Sequence, residues 1–346
     1  MNKIQKLLNW EYWPSSMFYL PNVPYAFYLA YKAKHPAFFT AVNPSIKSSG
    51  NGTESKYATL QLIPQAYRPK SVLVSPNTSF EEVLGQLADQ KIEFPLIAKP
   101  DIGFRGLLVH KIKTTSELQR YLTKYPIATI IQEFIEYKNE CGIFYYRNPF
   151  DNCGQITSIT LKKFLTVIGD GTSTVEELIL KDERAKLYRT LIEENEDIDL
   201  SYIPRLNEEV FLSVIGNHCK GTQFINGSHL VSQTLQNTFD KLNKSIDGWY
   251  YGRLDIKYNS FEELEQGLNF KILEINGIIA EPTHIYDSNN YTYFKALKEI
   301  RKHWKNLYQI AITNHKKLNT PYKSSMEFAK EILHLKNYIS TVKNLN

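Results

Sequence analysis

Eight short runs rich in β-branched and aromatic residues constrain this chain most, because stretches that read as capped helices separate them. The runs are 94–99, 107–112, 128–133, 143–146, 156–164, 210–215, 250–258 and 270–276. Thr78 and Ser79 supply hydroxyls ahead of a helix with Val83, Leu84 and Leu87 on one face, and Thr115 and Ser116 open another. Residues 233–246 and 261–266 read as helices between strands, and 291–314 and 324–342 as two closing helices. No internal repeat is present. This order of elements predicts an α+β protein: an aromatic-rich N-terminal extension (1–55), a two-lobed unit (56–135 and 136–290) and a helical tail (291–346).

Composition narrows the function classes. With 346 residues, 42% hydrophobic and 22% charged, the chain is neither disordered, collagen-like nor a small disulfide scaffold. A net charge of +5 is too mild to argue for a nucleic-acid partner, and none is expected. The charge is uneven, with 11 Lys/Arg against 3 Asp/Glu over residues 291–346. Cys141, Cys153 and Cys219 are odd in number and lack a C-x-x-C spacing, so neither a disulfide framework nor a cysteine metal site is expected. A reduced, cytoplasmic setting fits. Residues 1–13 hold Lys3 and Lys6 but only Leu7-Leu8 before Asn9 and Glu11, far short of a signal-peptide core. Nothing approaches the roughly 18–20 apolar residues of a spanning helix.

The first 40 residues hold 11 of the 45 aromatics, and Pro14, Pro21 and Pro24 cut them into short pieces. The plain expectation is that these rings pack on the body. The sharper one is a peripheral membrane contact through residues 1–40 and the basic tail, since Trp and Tyr suit the lipid–water boundary. Residues 43–52, rich in Pro, Gly, Ser and Asn, read as a loop.

Three constellations carry chemistry. In Tyr250-Tyr251-Gly252-Arg253-Leu254-Asp255-Ile256, strand alternation puts Arg253 and Asp255 on one face; in Phe270-Lys-Ile-Leu-Glu274-Ile-Asn276, Glu274 and Asn276 share one. If the strands are neighbours, Asp255, Glu274 and Asn276 form a patch of hard oxygen ligands suited to Mg²⁺. In 94–106, Lys99 ends an apolar strand and can set its ammonium against a phosphate, while Gly103 and Gly106 let backbone N–H groups approach phosphate oxygens. It is neither a Walker loop nor a Rossmann turn. In Ile130-Ile131-Gln132-Glu133-Phe134-Ile135, a strand ends in a link whose backbone can bond an adenine edge, and Glu140 lies seven residues past Glu133, where a carboxylate can hold ribose hydroxyls. Taken singly, each has a bland reading: surface alternation, a hairpin, a loop with scattered acids.

In this order and spacing, the three resemble the ATP-grasp superfamily over about Lys56 to Asp287, most closely D-alanine–D-alanine ligases and related carboxylate–amine ligases. Residues 94–100 look like the family's P-x-x-x-K-P strand, Glu133-Phe134-Ile135 with Glu140 like its adenine hinge and ribose acid, 248–256 like its G-R-[IL]-D strand and 273–276 like its E-x-N strand. The resemblance implies the ATP-grasp fold, two lobes clasping ATP. Lys56 and Lys99 become the nucleotide lysines. Asp255 and Glu274 hold one Mg²⁺ and Glu274 with Asn276 a second, with Mn²⁺ an admissible substitute. Arg253 faces the transferred phosphate, and Lys162 or Lys163 reaches the γ-phosphate, the sequence not choosing between them.

Two more segments look like those of cyanophycin synthetase and its relatives: 167–178, with Gly169-Asp170-Gly171 forming a turn and Thr174 a cap, and 214–222, where Asn217 would approach the phosphates. His218 and His284 have no visible partner and read as structural. The chain departs from D-alanine ligases at both substrate ends. No H-G-x-x-G-E-D-G segment precedes Lys56, and Gly277-Ile-Ile-Ala-Glu281-Pro282-Thr283-His284 replaces N-x-x-P-G. The expected activity is ATP-dependent joining of a small-molecule carboxylate to an amine through an acyl phosphate, with an altered substrate site. A phosphotransferase, or a nucleotide-binding protein without chemistry at a membrane surface, are the other classes the residues allow.

Overall fold

Antiparallel pairing builds both large sheets of the computed structural model, which describes Trp10 and residues 13–103, 106–193, 198–213, 216, 221–288 and 290–345. The first sheet has the order β1-β4-β2-β3, from Ser71–Val74 (β1), Leu96–Pro100 (β2), His110–Ile112 (β3) and Thr129–Glu133 (β4). One face is covered by helices Phe80–Gln90 and Thr115–Lys124, whose Val83, Leu87, Leu118 and Tyr121 pack on Val72, Leu96, Ala98 and Ile131. Ser79 and Thr114 cap these helices, each accepting from a backbone N–H three residues on.

The second sheet has the order β11-β10-β5-β6-β9: Asn139–Tyr146 (β5), Gln155–Lys163 (β6), Gln223–Asn226 (β9), Tyr251–Tyr258 (β10) and Phe270–Asn276 (β11). Its apolar face, with Ile143, Ile159, Leu254 and Ile272, packs on the amphipathic helix Gln233–Lys244 through Leu235, Phe239 and Leu242. A two-stranded antiparallel sheet of Thr166–Ile168 (β7) and Glu209–Phe211 (β8) covers its own core with helix Val175–Lys181. The observed class is therefore the α+β one that the alternation of runs and helices predicts.

Differences from the sequence reading are local. The run at 107–112 is a strand only over His110–Ile112, because Gly106 (φ 74°) and Leu108 (φ 55°) turn the chain first. Of 210–215, residues up to Phe211 pair and 214–215 lie outside the described residues. Strands β1, β7 and β9 have three or four residues each, too few for a period to register.

The prolines divide the aromatic start into helix Ser15–Tyr19, a 3₁₀ turn Leu20–Asn22 and helix Val23–Ala33, with Pro21 and Pro24 in first-turn positions that need no N–H. Phe18, Leu29 and Phe38 are buried against helix Tyr293–Lys317, whereas Phe27, Tyr28 and Tyr31 are exposed. That long helix is no loose tail: its Ala296, Ile300, Leu307 and Ile310 are buried. The last helix, Ser325–Asn344, opens on a capping box between Ser324 and Glu327 and returns to the first sheet, where Val342 enters the core. Burying that valine contributes about 1.5–3 kcal/mol to the docking. Among the described residues no helix is long and apolar enough to cross a membrane.

Candidate functional site

Strands β10 and β11 are neighbours, with Arg253 opposite Asn276 and Asp255 opposite Glu274. The shared face predicted from alternation therefore exists, with Arg253, Asp255, Glu274 and Asn276 side by side. Arg253 grips Asp255 bidentately (Nε to Oδ1 2.9 Å, Nη2 to Oδ2 3.1 Å), and Asn276 Nδ2 donates to Asp255 Oδ2 at 3.0 Å. Strand β5 lies on the other side of β10 and β6 beyond it, which sets Glu140 opposite Lys162. Lys162 Nζ lies 2.6 Å from Glu140 Oε1 and 3.3 Å from Asp255 Oδ1. Lys163, next along β6, is exposed. Of the two lysines, Lys162 is the one at this cluster.

The helix Lys56–Gln61 and the first sheet contribute from the other side. Lys56, first residue of helix Lys56–Gln61, donates to Glu274. Its helix is fixed by Asp101, whose Oδ1 accepts from Ser55 Oγ and Tyr57 N, each at 2.9 Å. Lys99 spans the two sheets, donating to Gln132 Oε1 of β4 (3.1 Å) and the Leu273 carbonyl of β11 (3.5 Å). Gly103 lies beside Pro100 and the Lys56 stem, and Gly106 takes its left-handed turn just beyond; Phe104 and Arg105 between them lie outside the described residues.

These groups hold one another's charge. Burial alone would raise the Asp255 carboxyl, but Arg253 and Lys162 hold it well below the ordinary carboxylate range. Burial would likewise lower Lys56, yet Glu274 raises it, and Asp255 and Glu140 do the same for Lys162. Among the described residues no carboxylate contacts Lys99, and burial lowers it to about 8. It is thus the cation here whose charge is least compensated.

Beside the cluster, Glu133, Phe134 and Ile135 line a cavity of ≈ 380 Å³ between the sheets, with Arg68, Lys70 and Lys271. That volume falls within the range of small-molecule pockets. Glu133 accepts from the Lys70 backbone N–H at 2.9 Å. The Phe134 ring has Lys111 at 3.9 Å and Lys257 at 5.3 Å, and Lys257 Nζ donates to the Ile135 carbonyl at 3.2 Å. Glu140 lies with Lys162 and Asp255 in this arrangement.

Other supports were not legible. Asn43, read only as the start of a loop, is fully buried; its Oδ1 accepts from Tyr250 and Tyr251 N–H (2.9 and 3.0 Å) and its Nδ2 donates to the Tyr251 carbonyl. It pins the start of β10. Gly50, at φ 82°, lets the 48–50 loop meet Gly277: a Cβ there would stand 2.7 Å from the Gly277 Cα. That approach orients the chain leaving Asn276 through Ile278 N to the Ser49 carbonyl, 3.0 Å. Glu281 follows, its carboxylate accepting from Tyr19 and from Tyr286 (3.2 Å), while its carbonyl accepts from Arg253 Nη1 at 3.0 Å. No signal ties Tyr19 to Glu281 in sequence, 262 residues apart.

Asn217 and His218 lie outside the described residues. His284 is buried with Nε2 3.0 Å from the Tyr291 hydroxyl, and burial pushes it down to about 4, as befits a structural neutral imidazole. The 169–173 turn closes on Asp170, which accepts from Thr172 and Ser173 N–H (2.9 and 2.7 Å), and Thr174 with Glu177 forms a full capping box. Among the described residues no three His, Cys, Asp or Glu side chains form a metal cluster; the hard-oxygen set is two carboxylates and one amide.

No family model and no characterised protein matches the chain in sequence. Solved structures similar to it include a bifunctional glutathione synthetase from Pasteurella multocida (15% identity, TM-score 0.38, 70% of this chain and 36% of that one). The VanG D-Ala:D-Ser ligase from Enterococcus faecalis (12%, 0.42, 74% and 61%) and the D-alanine–D-alanine ligase from Coxiella burnetii (12%, 0.41, 77% and 58%) are others. The chain thus spans between 36% and 61% of the length of these three structures.

Proposed function

We propose that this chain is an ATP-dependent ligase of the ATP-grasp kind, which joins a carboxylate to an amine through an acyl phosphate. The observation that supports this most is the meeting of Lys56, Lys99, Lys162 and Arg253 with Asp255, Glu274 and Asn276 in one cleft, beside a small-molecule-sized cavity. A carboxylate is a poor electrophile at neutral pH. In the proposed reaction a carboxylate oxygen bonds to the γ-phosphorus of ATP as the bond to ADP breaks. The amine, having shed one proton, then forms the C–N bond; phosphate leaves with the former carboxylate oxygen, and a second proton is lost from nitrogen.

In this reading Lys99 and Lys56 hold ATP phosphates, and Glu133, Phe134 and Ile135 frame the base. Lys162 and Arg253 offset charge spreading over the phosphoryl oxygens. Asp255, Glu274 and Asn276 fit Mg²⁺ by donor chemistry, being hard oxygens, two of them anionic, with lysine and arginine now balancing their charge. When bound, such ions neutralise phosphate charge. Glu281, with both oxygens held by tyrosines and its main chain on Arg253, is positioned to receive the acceptor's ammonium.

The test is ADP and phosphate release from Mg·ATP with amino acids and small carboxylates, singly and in pairs, with products read by mass spectrometry. Release that requires both partners, with a condensed product, is expected. A stable phosphorylated alcohol would instead make the chain a phosphotransferase.

A further inference from the structure

We infer that the N-terminal helix and the long C-terminal helix together form a docking plate for an anionic lipid surface. On helix Val23–Ala33, Val23, Phe27 and Tyr31 recur every fourth residue, so they share one face, and they are 37%, 71% and 82% exposed. Leu20, one turn earlier, is 66% exposed. The opposite face, with Leu29, is the one that packs on the body. An apolar face built on a helix that already has a buried face of its own is not a packing requirement. Among the described residues nothing covers it, which leaves it open to a second medium.

The neighbouring long helix, which meets Val23–Ala33 on the Tyr25 side, supplies the charge. Arg301 of helix Tyr293–Lys317 donates to Asn22 Oδ1 at 2.6 Å and stands 6.0 Å from the Tyr25 ring, fixing the two helices side by side. Lys298 and Lys305, one turn to either side of Arg301, are exposed on the same flank. Lys32 borders the other end, 5.6 Å from the Tyr28 ring. Opposing charge is scarce: residues 12–53 contain no Asp or Glu, and helix Tyr293–Lys317 carries seven Lys/Arg against one Glu.

Exposed aromatics beside a basic helix match an interface of acyl chains beneath anionic headgroups, where rings sit at headgroup level and each lysine adds attraction. A second copy of the chain fits worse, because a two-fold contact through this face would press like-charged helices together.

The test is cosedimentation of the full chain with phosphatidylcholine vesicles, with and without phosphatidylserine. The chain should pellet with the anionic vesicles, stay in solution with the neutral ones, and be released by salt. Phe27→Ser/Tyr31→Ser and Lys298→Gln/Lys305→Gln change exposed side chains only and should keep the thermal midpoint. Each should weaken partitioning, the lysine pair by roughly thirtyfold. Failure of the unaltered chain to pellet, or pelleting that either folded variant retains, overturns the inference. So does a concentration-dependent dimer that Phe27→Ser/Tyr31→Ser abolishes in a chain that ignores vesicles.

Discussion

Lys162 Nζ lies 2.6 Å from Glu140 Oε1, on neighbouring strands, with side-chain exposures of 5% and 7%. An ion pair so enclosed costs more to break than it contributes, because removing one partner strands the other charge. Lys162→Met should therefore lower stability by about 3–5 kcal/mol, and Lys162→Met/Glu140→Leu should recover much of that loss. Denaturant midpoints check this. In both variants ADP formation should stay depressed, since one of the two cations beside Asp255 is gone.

Glu274→Gln keeps the size and a hydrogen-bond acceptor for Lys56 but removes a negative charge facing Asp255 across the strand pair. The fold should survive, with an unchanged circular dichroism spectrum. Turnover should fall roughly a hundred- to thousandfold or more, the scale of losing one group that stabilises developing charge. Near wild-type rates would remove Glu274 from the metal set.

The buried Lys99 ammonium titrates at about 8, down from its ordinary 10.5 because burial disfavours the charged form. Below that value it is charged and attracts phosphate; above it the neutral amine does not. Bound nucleotide raises the value again, so Mg·ATP affinity should fall as pH climbs past about 8, by up to about tenfold per unit until the bound-state value is reached. Isothermal titration across pH 7–10 checks the sign. Lys99→Arg should flatten the profile, and Lys99→Ala should weaken binding at neutral pH.

Glu281→Gln tests the acceptor end. If its carboxylate receives the amine's ammonium, KM for the amine should rise by about tenfold or more while ATP affinity holds, the loss of a charge-assisted hydrogen bond. A matched fall in ATP affinity would instead make Glu281 a brace for Arg253.

Deleting residues 1–40 would uncover Leu307 and Ile310, which helix Val23–Ala33 and Phe38 now cover. The truncated chain should aggregate on purification, judged by light scattering. A soluble, active remainder would mean that the extension packs too weakly to matter.

Much of the candidate site was legible because its signals are local. Strand period put Arg253 with Asp255 and Glu274 with Asn276, and apolar runs with hydroxyl caps marked helices such as Phe80–Gln90. What escaped is long-range. Asn43 reaches Tyr251, Tyr19 reaches Glu281 and Lys162 reaches Glu140 through pairings that no window of sequence contains. The choice between Lys162 and Lys163 turned on one residue of register, which only the partner strand β5 decides. The sorting of the N-terminal rings into buried Phe18 and exposed Phe27 needed the partner helix, since both read alike as aromatics among prolines.

In the proposed reaction phosphate leaves carrying an oxygen from the carboxylate. A pool of carboxylates with both oxygens replaced by the heavy isotope, incubated with Mg·ATP, amines and the full chain, should yield phosphate bearing one heavy oxygen by mass spectrometry, alongside ADP and a condensed product. Phosphate without heavy oxygen, or heavy-isotope-free phosphoryl groups resting on an alcohol, would contradict the account.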